Sequence, residues 1–242
     1  MTRRIHSILA ALAGLGLLST LATHSARADV FTILASEDVA PYSFLPSLPR
    51  YNNPTAYAFR GADEGAGSIH NFETFLWFDV AATDLPAGHV LTNAQLLVTH
   101  AFDAGGFGDP STAPAELNCH EITEDWDQTT VTWNNRPSYD PAFDQITGIT
   151  GFGSILCDAT LVVFDWIHGT HPNDGFALTN TTERVLGMHT LEADATIPDS
   201  VKANLILTTA LPEPGFGLGL ATCGLFLAAA KPKDTLRIGE QA

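Results

Sequence analysis

The sequence predicts an all-β domain, an antiparallel sandwich or barrel, and three observations carry that prediction. Short apolar or alternating runs recur along the chain, separated by Gly, Pro, Asn and Asp, which is the punctuation of strands. Helical periodicity is almost absent between residues 29 and 210, where amphipathic helices would show it. The stretch 122–137 (ITEDWDQTTVTWNNRP), in which three acids crowd the first of two tryptophans, carries the β-branched run Thr129, Thr130, Val131, Thr132, which opposes a helix and suits a pleated strand.

Taken in order, residues 30–34 form the first expected strand. Residues 42–57, rich in Pro, Asn, Ser and Tyr, read as a long ordered loop. Strands follow over 56–60 and 72–80, the latter (FETFLWFDV) almost continuously apolar, as inside a sandwich core. Leu85, Pro86, Ala87 and Gly88 make a turn, 91–100 a strand, and 105–114 a Gly/Pro/Ser loop at the surface. In 122–137, Trp126 and Trp133 sit seven apart, which puts them on opposite faces of an uninterrupted strand. Asn134, Asn135 and Pro137 close that stretch with turn chemistry. Residues 161–169 (LVVFDWIHG) read as a strand passing into one short helical turn that Gly169 stops. Asn173, Asp174 and Gly175 form a tight turn, and strands are expected over 176–179, 183–191 and 201–209. No internal repeat is visible.

The ends read as processing segments. Arg3 and Arg4 precede an apolar run over 8–22, and Ala26-Arg27-Ala28 has the small-x-small pattern of a secretory cleavage site. Residues 1–28 are therefore expected to be a signal peptide, and 29–210 the domain. In 211–242, Pro212, Glu213 and Pro214 lead into an apolar run over 215–230, followed by Lys231 and Lys233. That run is just short of the roughly 17–25 residues of a spanning helix, and the lysines favour a cytoplasmic end. A C-terminal hydrophobic helix, transiently anchored in the inner membrane, is the expectation.

Residues 29–210 hold 24 acidic and 5 basic residues, a formal charge of −19. A surface that acidic repels nucleic acid and anionic lipid, so neither is an expected partner. Cys119 and Cys157 are the domain's two cysteines, and Cys223 lies in the tail. In an exported chain a disulfide is the default, worth roughly 3–4 kcal/mol on loop entropy. Two separate buried thiols are the alternative.

Catalytic patterns are lacking: no G-x-S-x-G and no H-E-x-x-H occurs. His168 and His171 are three apart, but Gly169 and Pro172 oppose the helix that would bring them together. The expectation is a protein that is not an enzyme and has no cofactor, calcium being the one candidate. Its weak candidate ligands are Asp38, Asp63, Glu64 and Asp158, acids on loops without EF-hand spacing. Candidate carbohydrate platforms are Trp126, Tyr42, Tyr51, Tyr57 and Tyr139, with packing the commoner role for each such ring.

Two resemblances add to this. Phe75-Leu76-Trp77-Phe78-Asp79, Leu85-Pro86-Ala87-Gly88, Trp126, the Val131-Thr132-Trp133-Asn134-Asn135-Arg136-Pro137 run, and Trp166, Gly169, Asn173, Gly175, Phe176 and Leu178 resemble the motifs of the DNRLRE (disaggregatase-related) domain. Asp127 departs from its pattern, standing one residue before the usual Glu. The resemblance implies a non-catalytic, jelly-roll-like sandwich that accompanies polysaccharide-active enzymes and adhesins. Pro212, Glu213 and Pro214 before an apolar run and basic residues resemble the PEP-CTERM sorting signal of Gram-negative bacteria. That implies an exosortase-type processing enzyme as partner, and release or fixation at the cell surface. The combined expectation is an exported module that binds or organises extracellular polysaccharide. A matrix protein without a ligand, or a polysaccharide hydrolase or lyase, is the alternative. Within 122–137, Trp133 is assigned to the core and Trp126 is the ring to test.

Overall fold

Strand positions follow from where apolar side chains alternate. The structure, a computed structural model, describes residues 28–63, 69–102, 114–182, 184–193 and 195–212. Its strands are β1 (Ala28–Leu34), β2 (Glu37–Val39), β3 (Thr55–Asp63), β4 (Ile69–Phe72), β5 (Thr74–Trp77), β6 (Val90–His100), β7 (Ala115–Glu121), β8 (Asp144–Ile149), β9 (Gly153–Asp158), β10 (Phe176–Thr179), β11 (Leu186–His189) and β12 (Asn204–Ala210). One helix, α1 (Thr160–His168), lies among them. In β6 the residues Ala94, Leu96 and Val98 are buried while Gln95, Leu97 and Thr99 are not, the period-two pattern of a half-buried strand.

The first sheet has the order β1-β12-β6-β9 and the second β2-β5-β10-β7-β8, and the paired strands in both are antiparallel. Following the chain, β1 lies in the first sheet, β5 in the second and β6 in the first. β7 and β8 are then both in the second, after which β9, β10 and β12 alternate again. That winding of eight strands is a jelly roll. The domain is an all-β sandwich, as expected, and not a barrel. A third, three-stranded sheet, β11-β3-β4, accompanies the two.

The main core lies between the first two sheets. Leu96, Val98, Leu205 and Leu207 from one meet Leu76, Phe176, Leu178 and Leu117 from the other, all 3 % exposed or less. Each such side chain is worth about 1.5–3 kcal/mol of burial. The expected disulfide is present. It joins Cys119 of β7 to Cys157 of β9, so it ties one sheet to the other through the core.

The structure corrects several sequence expectations. Residues 161–169 are not a strand: they belong to α1, whose Val162, Val163 and Trp166 pack into the core. The Asp158 carboxylate accepts from the Thr160 amide (3.1 Å) and hydroxyl (2.6 Å), which satisfies a donor at the helix start. Gly169 ends the helix with φ 68°, a left-handed cap suited to glycine. The 72–80 strand is broken at Glu73: Phe72 ends β4 and Thr74–Trp77 form β5. β2, β7, β8 and β9 are strands that the sequence reading missed.

The β-branched run 129–132 is not a strand either. Asp127 accepts from the Thr129 amide (2.7 Å) and hydroxyl (2.6 Å). Asn135 Oδ1 accepts from the Thr132 amide and hydroxyl, both at 2.6 Å. A short 3-10 turn, Trp133–Asn135, follows. Local side-chain hydrogen bonds here outcompete a sheet ladder.

The expected signal peptide lies outside the described residues except Ala28, and so does the C-terminal helix except Leu211 and Pro212; the loop 105–114 is described only at its last residue. Among the described residues no helix is long and apolar enough to cross a membrane.

Candidate functional site

The stretch 122–140 covers the outer face of the second sheet. Along one row of that face Val39 pairs with Phe75, Phe75 with Ala177, and Ala177 with His120. Val39, Phe75 and Ala177 gather with Ile122 and Val131 into a second apolar cluster, on which Trp126 and Tyr139 pack. Gly175 anchors the entry to the stretch: its carbonyl accepts from Ile122 N at 3.0 Å. Its φ is 94°, and a Cβ there would strike the Leu76 carbonyl oxygen, so only glycine fits.

The covering stretch leaves two recesses. The first is a cleft of about 310 Å³ lined by Asn71, Phe72, Glu73, Trp133, Arg136, Tyr139, Thr179, Asn180 and Thr181. Trp133, half-buried, projects from the 3-10 turn, which is held from outside by Asn134 N donating to Pro46 O (3.0 Å) and Asn134 Nδ2 to Ser47 Oγ (3.1 Å). The Arg136 guanidinium carbon stands 4.2 Å from the Trp133 ring centroid, a cation–π distance. Arg136 Nη1 donates to the Trp133 carbonyl at 2.7 Å, and Arg136 Nε pairs with Glu73 Oε2 at 3.1 Å. Tyr139 donates its hydroxyl to Glu73 Oε1 at 3.2 Å.

Burial pushes the Glu73 carboxyl above its ordinary value, with the Arg136 charge opposing the shift. Tyr139 is pushed up to about 12 by burial and by the Glu73 charge. Beneath Tyr139 lies His120, ring centroids 4.7 Å apart, with Nε2 2.9 Å from Thr179 Oγ1. Burial lowers the His120 pKa, with a hydrogen bond to the Asp140 carbonyl opposing that shift. Asn180 is spent on the fold: it donates to the Ala58 and Arg184 carbonyls and accepts from Thr182. The cleft thus joins the rings of Phe72, Trp133 and Tyr139, one ion pair between Arg136 and Glu73, and the hydroxyls of Thr179 and Thr181.

The second recess, of about 290 Å³, is lined by Glu124, Asp125, Trp126, Asp127, Thr130, Val131, Asn135 and Pro137. Trp126 donates Nε1 to the Asp174 carbonyl at 2.8 Å, and its centroid lies 6.1 Å from that of Phe75. Its ring therefore anchors the loop to the sheet. The acids are largely engaged in folding the loop. Glu124 accepts from the Ser138 amide and hydroxyl, and the Thr129 hydroxyl bonded to Asp127 holds that carboxyl below its usual range.

The other sequence candidates scatter. Tyr42 is buried and stacked on Phe72 at 4.1 Å, so it is a core residue. Tyr51 sits half-buried on a separate loop recess lined by residues 48–54. Tyr57 lies on β3 opposite Gly187, and its side chain is outside the description, as are the Asp63 side chain and all of Glu64. Asp38 is buried, accepting from Leu191 N at 2.7 Å, with its pKa raised to about 7 chiefly by burial. Asp158 caps α1. Among the described residues no three His, Cys, Asp or Glu side chains gather as a metal would need. His168 stacks on Phe164 while His171 faces Glu121 at 3.3 Å, so the two histidines do not converge.

Sequence reasoning missed Glu73 and Arg136, and it assigned Trp133 to the core rather than to the cleft. One signal was available: Arg136 is the single base within a stretch of acids. The model of carbohydrate-binding module family 96 matches residues 62–204, more than half of the chain. A search of curated proteins finds no match.

Proposed function

Because the chain belongs to carbohydrate-binding module family 96, we propose that it is an exported, non-catalytic module holding extracellular polysaccharide in the Trp133 cleft. The observation that carries this reading is a ring fixed by Arg136 beside the hydroxyls of Thr179 and Thr181 in one cleft. A sugar offers an apolar C–H face and a hydroxyl edge. An aromatic ring accepts the first and small polar side chains the second. At about 310 Å³ the cleft stands at the lower end of the roughly 300–1,000 Å³ of ligand sites. Tyr51 is a subsidiary candidate on a neighbouring loop, Trp126 serves to anchor its own loop to the sheet, and no metal enters the reading.

The proposal extends to export. Residues 1–28 read as a signal peptide, and Pro212, Glu213 and Pro214 with the apolar run resemble a PEP-CTERM signal. An exosortase-type enzyme then processes residues 211–242 and leaves the 29–210 domain, with its DNRLRE-like motifs, at the cell surface or in the matrix. Intact mass of the protein from its native host tests both cleavages; a mass equal to the uncut chain rejects them.

Binding is tested by retention of the full chain on a panel of immobilised polysaccharides. The expected result is retention that Trp133→Ala abolishes without release of reducing ends. Failure on every glycan returns the protein to a purely structural role in the matrix, and turnover makes it a hydrolase or lyase.

A further inference from the structure

The strand at the edge of a sheet offers unpaired N–H and C=O groups to any other extended chain. In the two packed sheets the edge strands are β1 and β9, and β2 and β8. β2 is three residues long, and its Asp38 amide donates to Gln128 Oε1 at 3.3 Å. β8 and β9 guard each other, since Asp144 Oδ2 accepts from the Asp158 amide at 2.7 Å, and β8 carries Gly148 at φ 75°. β1 has none of these devices. It runs for seven residues (ADVFTIL) without Pro, Lys or a bulge against β12, and Val30 is 63 % exposed.

The groups that β1 offers can be named. Ala35 N donates to Ala203 O at 3.1 Å, so those two residues are hydrogen-bonded opposites. Such pairs alternate along an antiparallel ladder. Ile33, Phe31 and Asp29 therefore bond to β12, while Val30, Thr32 and Leu34 turn their amides and carbonyls outward. Carried through β12 and β6, the same alternation requires Ala94 to bond Ala159, and that bond is present at 2.9 Å. Among the described residues nothing pairs with the outward groups of Val30, Thr32 and Leu34.

We propose that β1 is a dimerisation edge whose partner is the β1 of a second copy of this chain, the two strands running antiparallel about a two-fold axis at Thr32. In that register Thr32 meets Thr32, Val30 meets Leu34 and Phe31 meets Ile33. Outward groups face outward groups, and apolar side chains face apolar ones, as an isologous contact demands. Centring the axis on Phe31 would instead set Asp29 against Ile33. Phe31 and Ile33 lie half-buried at the margin of the main core, and the second β1 closes over them. The opposing force is the formal charge of −19 on each domain, a repulsion that salt screens. The dimer carries two Trp133 clefts.

Sedimentation of the full chain, in a mild detergent that keeps its apolar ends from associating, reads the equilibrium at low and at high salt. The expected wild-type result is a monomer–dimer equilibrium that salt strengthens, with the Thr32 and Leu34 amides exchanging more slowly as the dimer forms. Thr32→Asp sets two carboxylates opposite each other at the axis and should weaken the dimer about tenfold at low salt. Mixed with Thr32→Lys, it should form the heterodimer in preference to either homodimer, because the axis places residue 32 opposite itself. Thr32 is exposed, and circular dichroism checks that both variants fold; should either not, the exchange measurement on the wild type decides alone. A wild type that stays monomeric at every concentration and salt overturns the proposal. So does a dimer that Thr32→Asp leaves unchanged, a mixture without preference, or amides at Thr32 and Leu34 already protected in the monomer. None of these outcomes touches the carbohydrate reading, since no residue of β1 lines the cleft.

Discussion

Trp126 and Trp133 come from one loop and do opposite work. Trp126 rests on Phe75 with its indole nitrogen bonded to the Asp174 carbonyl, and the acids around it are turned to local backbone and hydroxyl groups. Trp133 stands on a 3-10 turn, packs against a guanidinium and borders an open cleft. The difference lies in the partners. A ring whose polar atom is satisfied by the fold's own backbone stabilises the loop. A ring backed by a cation and bordering a cleft retains surface for a ligand. Local charge misleads, since the more acidic recess is the more structural one.

The largest expected effect belongs to neither ring and has to be separated from both. Asp38 has a folded pKa of about 7 against an ordinary 3.8, raised mainly by burial. The folded state therefore binds this proton more tightly than the unfolded state does. The contribution is fully present below the ordinary value, and it is lost as pH rises through about 7. It amounts to on the order of 4 kcal/mol. Urea titrations of Asp38→Asn should show a flatter stability profile between those pH values than wild type. Parallel profiles would contradict the assignment.

Next comes Trp126→Ala, which removes a half-buried ring from the Val39–Phe75–Val131 cluster. A loss of about 3 kcal/mol is expected in chemical denaturation, the low end for aromatic truncations, with glycan affinity preserved in the fraction that remains folded. The reciprocal result is expected for Trp133→Ala. Stability should change by less than ~1 kcal/mol while binding weakens by about 2 kcal/mol, as for a central contact residue, read by isothermal titration. If the two variants exchange these phenotypes, the roles of the rings are reversed. The smallest effect is Asn135→Ala, which strips the acceptor from the Thr132 amide and hydroxyl. About 1 kcal/mol should be lost, together with part of the affinity, because the turn carrying Trp133 frays.

Much of the fold was legible because burial on one side of a sheet leaves a period-two record. β1, β6, β10 and β12 appear in the sequence where the structure has them. β7 was not, since AELNCHE mixes charge and amide among its core residues, and Glu121 is buried while accepting from the Trp166 indole at 2.8 Å and facing His171 at 3.3 Å. α1 was misread because Val162 and Val163 speak for a strand; its start is decided by Asp158 and its end by Gly169. The run 129–132 shows the same limit from the other side, since Asp127 and Asn135 override four β-branched propensities. As for the cleft, Trp133 stood in plain view, but Glu73 is sixty residues upstream. No local pattern announces an ion pair that only the sheet brings together.

The Cys119–Cys157 bridge has a consequence beyond holding two sheets in register. Both tryptophans, Arg136 and Tyr139 fall between the two half-cystines, so the loop that shapes both recesses is a segment of a closed covalent ring. An extracellular protease that nicks this exposed loop cuts the ring once and releases nothing. The severed ends stay tethered within the same sandwich, and the module survives as two chains where an unbridged one would come apart.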